Sequence, residues 1–463
     1  MIKPFWIFGI DRTIQNMVGA EQYGFYVALF NFSLVFNMLS DFGLSNFNTK
    51  NIAQNQQLVS KHVSRLIWLK IFLAFGYLTI SLLVAFLIGY SSYQIKFLLF
   101  LVLNQVIASF LLYLRSNLAG LHLFKIDSIL SITDKALMII ICGILILQYP
   151  ANFKIEWLVY SQTVAYLITT FIAFLLVIRQ TGWIKIRYDY RFILAILKKT
   201  APFALLILLM TIYTRIDFVM LERMLDNGNL YSGIYAQAYR ITDAFSMFAY
   251  LFAALLLPIF SKMIKDKENM ENMVKKSATI LLIPVLILVV TIGFHSHDIM
   301  DVLYRQHAEE SFSILNILII GFIGIASIYI FGTLLTANGN LKQLTIISGV
   351  GVVLNVGLNL VLIPKYNYIG AALSSMLTQV LMAGVQMYLA YKIFNFKINI
   401  KDVFKWALFI IIIILQAYFI KHEVVLSWIP AFFITGILSF VWVFILKIIR
   451  FEQIQKFVGQ MVR

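Results

Sequence analysis

The residues with the most chemical potential in this chain are charges set inside apolar runs. Arg215 and Asp217 lie deep in the run Pro202–Leu221, and Arg240 and Asp243 stand i, i+3 on the next, Ile234–Phe260. Lys70 falls in Leu66–Tyr90, Asp134 and Lys135 fall in Ile129–Leu147, and Asp41 lies near the end of Tyr23–Leu44. Arg12 follows a short first run, Ile2–Ile10. A charged side chain at the centre of a bilayer costs about 2.5 kcal/mol or more, so such residues face a water-filled cavity or a partner. Arg12, Lys70, Arg215 and Arg240 are the cations expected to line a cavity for an anionic head group. Asp41, Asp134 and Asp217 are the carboxylates whose depth suits exchange of a proton or Na+. Blander readings compete. Lys70 and Lys135 have stems long enough to snorkel to the interface, and Arg240 and Asp243 can neutralise each other at helical spacing.

Other polar groups carry less. Asn355 and Asn359 share a helix face at i, i+4, and Gln379 and Gln386 lie on the following run, a pattern suited to hydrogen bonds between helices. Gly349, Gly351 and Gly357 sit inside an apolar run with no preceding strand, so close helix packing is expected rather than a phosphate loop. His295, His297, Asp298 and His307 crowd one outer loop, but no helical His-x-x-x-His spacing is present and no metal is expected. There is no Gly-Lys-Ser/Thr motif, so hydrolysis of ATP by a P-loop is excluded and no cofactor is called for. The one cysteine, Cys142, excludes a disulfide within the chain.

The elements that position these residues follow from composition. Of 463 residues, 61% are hydrophobic and 13% charged, and mean hydropathy is +0.88. A spanning helix needs about 20 apolar residues. About 14 such segments, from Ile2–Ile10 to Trp428–Ile449, use the whole chain. The fold expected is an all-α polytopic membrane protein. The net charge of +16 does not point to nucleic acid, because the cations sit in loops beside apolar runs, where orientation and anionic lipid account for them. Alternate loops are basic: Lys50, Lys61 and Arg65; Arg115 and Lys125; Arg179, Lys185, Arg187, Arg191, Lys198 and Lys199; and so on to Lys447, Arg450, Lys456 and Arg463. The opposite loops hold about one cation each, among them Lys96, Lys154 and Arg223. The positive-inside rule then places both termini in the cytoplasm. No cleavable signal peptide is expected, and Ile2–Ile10 is too short to cross alone, which points to a half-span or a missing upstream stretch.

An internal repeat adds architecture. Gly24-Phe25-Tyr26-Val27-Ala28 and Gly233-Ile234-Tyr235-Ala236 each open a run, at an offset near 210 residues, and Gly120 and Gly339 fall in matching loops. Asp11-Arg12 precedes the first copy and Arg215-Ile216-Asp217 the second. An even number of spans separates the copies, which predicts a parallel repeat about an axis along the membrane normal. Two pseudo-symmetric six-helix lobes are expected at 1–200 and 201–400. Two further helices and a cytoplasmic tail are expected at 401–463.

Three stretches, in this order, resemble the polysaccharide (O-antigen type) flippases of the multidrug/oligosaccharidyl-lipid/polysaccharide exporter, or MOP, superfamily. The first runs from Asp11-Arg12 through Gly19-Ala20-Glu21-Gln22-Tyr23-Gly24 to Asp41-Phe42-Gly43-Leu44, with Val18 where the family usually has Leu. The second is Arg215-Ile216-Asp217, then Gly233 to Arg240, then Leu257-Pro258 before a basic loop. The third is Asn355 to Asn359, Leu362-Ile363-Pro364-Lys365-Tyr366 and Ile369-Gly370-Ala371-Ala372. The resemblance implies a MATE-like fold in a bacterial inner membrane and alternating access between two lobes. It implies an undecaprenyl-diphosphate-linked oligosaccharide as substrate, and a C-terminal helix pair like the lipid-tail groove of lipid II flippases. Arg215, Arg240 and Arg12, with Lys70 second, become the expected diphosphate contacts, since the planar guanidinium donates bidentately to phosphate. Na+ or H+ coupling and polysaccharide assembly proteins complete the expected partners. Two other readings compete: a multidrug or organic-cation antiporter of the same superfamily, which favours an acidic cavity, and a polytopic glycosyltransferase or polymerase, which needs acidic residues on a sizeable outer loop.

Overall fold

The computed structural model describes residues 2–55, 59–182, 189–397 and 399–448. Lys185, Arg187 and the tail cations Arg450, Lys456 and Arg463 lie outside the described residues. Among the described residues the chain is helical throughout, with no strand. A single turn, α1 (Ile2–Phe5), and a π-helical stretch (Trp6–Asp11) lead into α2 (Arg12–Asp41) and α3 (Leu44–Gln54). Then follow α4 (Val59–Leu87), α5 (Ser92–Gly120), α6 (Phe124–Gln148), α7 (Ile155–Thr181), α8 (Tyr190–Met224) and α9 (Gly228–Lys265). The remainder comprises α10 (Met270–Leu303), α11 (Ala308–Ala337), α12 (Leu341–Phe394), α13 (Ile400–Glu423) and α14 (Trp428–Ile445).

Among the described residues, 12 continuous stretches are long and apolar enough to cross a membrane. Two of them are of double length. One is α12, with 54 residues. A straight helix of that length would run more than twice the thickness of a hydrocarbon core. It is broken at Asn367 (φ 48°, ψ −128°). The other, Trp6–Gln54, is broken at Gly19 (φ 82°, ψ 165°). That conformation is open essentially to glycine alone. Each break falls between two apolar segments of the sequence, so about 14 segments become 12 stretches. The short first run folds as α1 and the π-helical stretch, and from Trp6 onward it opens the helical run that includes α2. The polar stretch after Leu44 folds as α3 rather than as loop. Likewise α10 and α11 absorb most of the outer loop expected at His295–Ser311 and leave only 304–307 between them.

The chain divides into two compact units: Met1–Ala236 with Ser348–Asn367, and Gln237–Ile347 with the chain from Tyr368 onward. In the first unit the core joins Leu44 and Ile52 of α3 to Val63 and Leu66 of α4, Leu114 and Leu118 of α5, Val177 of α7 and Ile196 of α8. Helices in lipid gain little from burying apolar area, so shape decides how they pair. The tightest crossing shows it. A Cβ on Gly24 would lie 1.7 Å from the carbonyl oxygen of Asn229, and a Cβ on Gly233 would lie 1.8 Å from that of Ala20. The contact is reciprocal: Ala20 and Gly24 on α2 meet Asn229 and Gly233 on α9, and Gln15 Nε2 donates to the Gly233 carbonyl at 2.9 Å.

The second unit has its own core of Ile283 and Leu286 on α10, Phe409 and Ile413 on α13 and Val443 on α14. There Gly324 of α11 lies against the backbone of Gln379, and Gly321 against Met376. Two of the three glycines expected to pack closely on α12 do not: a Cβ at Gly349 or Gly357 would meet nothing within 4 Å. Their spacing within an apolar run carried no information about which face meets a neighbour.

Candidate functional site

In the first unit two sets of charges gather around the buried residues Lys70 and Asp217. The first forms where α2 ends. Asp41 closes the helix, and Phe42 (φ 51°) and Gly43 (φ 75°) make a left-handed turn into α3. The second position of that turn is the one that asks for glycine. Asp41 Oδ2 accepts the backbone N–H of Ser45 at 3.3 Å, and its Oδ1 accepts the Ser45 hydroxyl at 2.6 Å. Lys70, only 2% exposed, comes in from α4 and donates to Asp41 Oδ1 at 2.6 Å and to Ser109 Oγ of α5 at 2.7 Å. An expected substrate cation and an expected ion-coupling carboxylate are thus one ion pair, Lys70 buried and Asp41 half-buried, and Lys70 turns inward rather than snorkelling.

The second set centres on Asp217 of α8, which is fully buried. Its carboxylate accepts from Asn359 Nδ2 at 2.7 Å, Asn355 Nδ2 at 3.2 Å and Tyr235 OH at 3.2 Å. The i, i+4 asparagines hold one face because Asn359 Nδ2 also donates to Asn355 Oδ1 at 3.2 Å. Asn359 Oδ1 is buried without a hydrogen-bond partner among the described residues. A half-turn of either amide would bring a carbonyl oxygen to the carboxylate in place of its N–H donor. Carboxylate plus amide oxygens is an all-oxygen donor set, which suits a hard cation.

The remaining candidates occupy other positions. Asp134 and Lys135 on α6 pair at 3.1 Å, and Lys135 Nζ reaches Tyr166 OH of α7 at 3.2 Å and lies 5.1 Å from its ring centroid. Arg12 opens α2 half-buried, with its Nε buried and without a hydrogen-bond partner among the described residues. The neighbouring Asp11 accepts from Tyr23 OH at 2.8 Å. Arg215 is half-buried two residues before Asp217 in the first unit, and Arg240 is half-buried in the second. Where α4 turns into α5, Arg223 of α8 covers the Tyr90 ring at 4.9 Å. Burial, then the negative charge of Glu222, pushes the Tyr90 hydroxyl above its ordinary range. Among the described residues no group of His, Cys, Asp and Glu is placed to hold a metal. His295 lies buried against Phe432, and Asp298 pairs with Lys421 at 2.5 Å.

Ser45, Ser109 and Tyr235 complete these sets; the sequence marks Tyr235 only as part of the repeat, and Ser45 and Ser109 not at all. A hydroxyl in an apolar run is common and usually bonds to its own helix, as Thr169 does to the Ala165 carbonyl.

A family model described as polysaccharide biosynthesis protein matches residues 12–264. No curated protein sequence matches the chain. Among solved structures, the lipid II flippase MurJ in an inward closed conformation overlays all of this chain and 99% of its own, with a TM-score of 0.73 and 17% identity. An inward-facing multidrug resistance MATE family transporter of the MOP superfamily covers 84% of this chain and 94% of its own (TM-score 0.69, 15% identity). A MOP superfamily transporter from Pyrococcus furiosus covers 85% and 92% (TM-score 0.59, 14% identity). With the fold of MOP superfamily transporters and the family match over more than half its length, this chain belongs to the polysaccharide biosynthesis protein family.

Proposed function

We propose that the protein is a flippase that carries a polyprenyl-diphosphate-linked oligosaccharide from the cytoplasmic to the outer leaflet of a bacterial inner membrane by alternating access, with both termini cytoplasmic. The observation that supports this most is the family match joined to a fold that follows a lipid II flippase over its whole length. A diphosphate leaving water needs cations in place of its hydration shell. Arg215, Arg240 and Arg12 are our diphosphate contacts, in a chain of two six-helix lobes at 1–200 and 201–400. Lys70 remains secondary, because releasing it to a substrate means parting it from Asp41. Asp217 is our first ion-coupling residue: Na+ would take the carboxylate and amide oxygens, or a proton would take the carboxylate. Asp41 and Asp134, each beside a lysine, follow it.

The test is complementation in a strain lacking the gene. Arg215→Ala should abolish export of surface polysaccharide, scored by glycan blotting, while membrane levels of the protein stay normal. Wild-type polysaccharide in that variant would falsify the assignment. Dye accumulation separates the antiporter reading, which predicts export of cationic drugs by the wild type. The enzyme reading is disfavoured by the transporter folds that the chain resembles and by the four-residue gap between α10 and α11.

A further inference from the structure

Five lysines of the second unit converge on one cavity. It has a volume of about 530 Å³ and lies at the start of α10, the end of α12, the start of α13 and just past α14. Lys275, Lys276, Lys397, Lys405 and Lys447 line it, against two carboxylates, Glu271 and Asp402. Glu271 is already occupied by Lys275 at 2.7 Å. The lining therefore carries an excess of three positive charges. Its deep wall is apolar: Leu282, Phe331 and Trp406, the last packed on the core of Phe409 and Ile413. Met387 (44% exposed) and Val403 (56% exposed) also line the cavity, so the apolar wall continues onto the outer surface of the helices.

We propose that this cavity holds the phosphate head group of an anionic bilayer phospholipid, with its acyl chains along the wall of Met387 and Val403. The cationic rim and apolar wall match the two halves of such a molecule. Basic pockets between spanning helices on the lysine-rich side are where anionic head groups lodge. No arginine lines this cavity, and each ammonium is a mobile point charge that meets a phosphate oxygen singly. A soluble phosphate would have no use for the apolar wall. Loss of the flippase reading would leave this site untouched, because it draws on none of the same residues.

The experiment uses the full chain purified in neutral detergent. Binding is followed by thermal stabilisation and by lipid adducts in native mass spectrometry. The variant is Lys276→Gln/Lys397→Gln/Lys405→Gln, which spares the Lys275–Glu271 pair. Phosphatidylglycerol should stabilise the wild type and appear as a retained adduct, and phosphatidylcholine should do neither. At about 1 kcal/mol per surface cation, the triple variant should bind phosphatidylglycerol on the order of 100-fold more weakly. The Lys→Arg version of the same triple should keep binding, which guards against a folding artefact. An unchanged response in the Gln triple overturns the proposal. So does equal stabilisation by inorganic phosphate, or stabilisation by undecaprenyl phosphate but not phosphatidylglycerol, which would make the cavity a substrate-loading site.

Discussion

At the scale of single residues, the buried charges are settled in pairs and networks rather than left for solvent. Lys70 and Asp41 are the clearest case. Removing one member of a buried pair strands the other, which costs about 3–5 kcal/mol, whereas replacing both is often close to neutral. Lys70→Met and Asp41→Asn should each lower the melting temperature of the purified protein sharply, and the double variant should recover most of it. Additive losses in the double variant would mean that the 2.6 Å contact contributes little. Asp217 calls for a different change. Asparagine is close in shape and can keep hydrogen bonds with Asn355 and Asn359, so Asp217→Asn should fold normally. Under our coupling reading it should nonetheless make transport in proteoliposomes indifferent to an imposed Na+ or H+ gradient. Gradient dependence that persists would remove Asp217 from the coupling role. Which residues were charged and deep was legible in the sequence; who their partners are was not. Asp217 meets asparagines 138 and 142 positions away, and Lys70 meets a carboxylate 29 positions away on another helix. Spacing along one helix says nothing of the rotation of its neighbour.

At the scale of elements, apolar length was a faithful guide and glycine was not. About 20 apolar residues between charged loops define a span because the bilayer imposes the length. The breaks at Gly19 and Asn367 fall where the sequence separates its segments for the same reason. The sequence has 23 glycines, and only a close approach distinguishes those that matter. Gly24 and Gly233 do, because the atoms they would meet are backbone carbonyls that cannot rotate away. Gly24→Val or Gly233→Val should cost upwards of about 3 kcal/mol and reduce the folded fraction on size-exclusion chromatography. Gly349→Val and Gly357→Val should be tolerated, since a Cβ there meets open space. Equal tolerance at all four positions would contradict the crossing described above.

At the scale of the whole molecule, the alternating basic loops make an orientation that is simple to test. The one cysteine, Cys142, is fully buried, so engineered surface cysteines report without much background. In intact cells an impermeant maleimide should leave Lys125→Cys and Lys342→Cys unlabelled and should label Lys154→Cys. The reverse pattern would invert the topology and, with it, the direction of flipping. The crossing of α2 and α9 has a meaning at this scale as well. Ala20 and Gly24 stand to Asn229 and Gly233 as those stand to them, at one constant offset in the chain. A contact of that kind is what two identical chains make across a two-fold axis. Here the two-fold relation lies within one chain, so a change at Gly24 strikes one side of the contact and leaves the other, and each side can be altered alone.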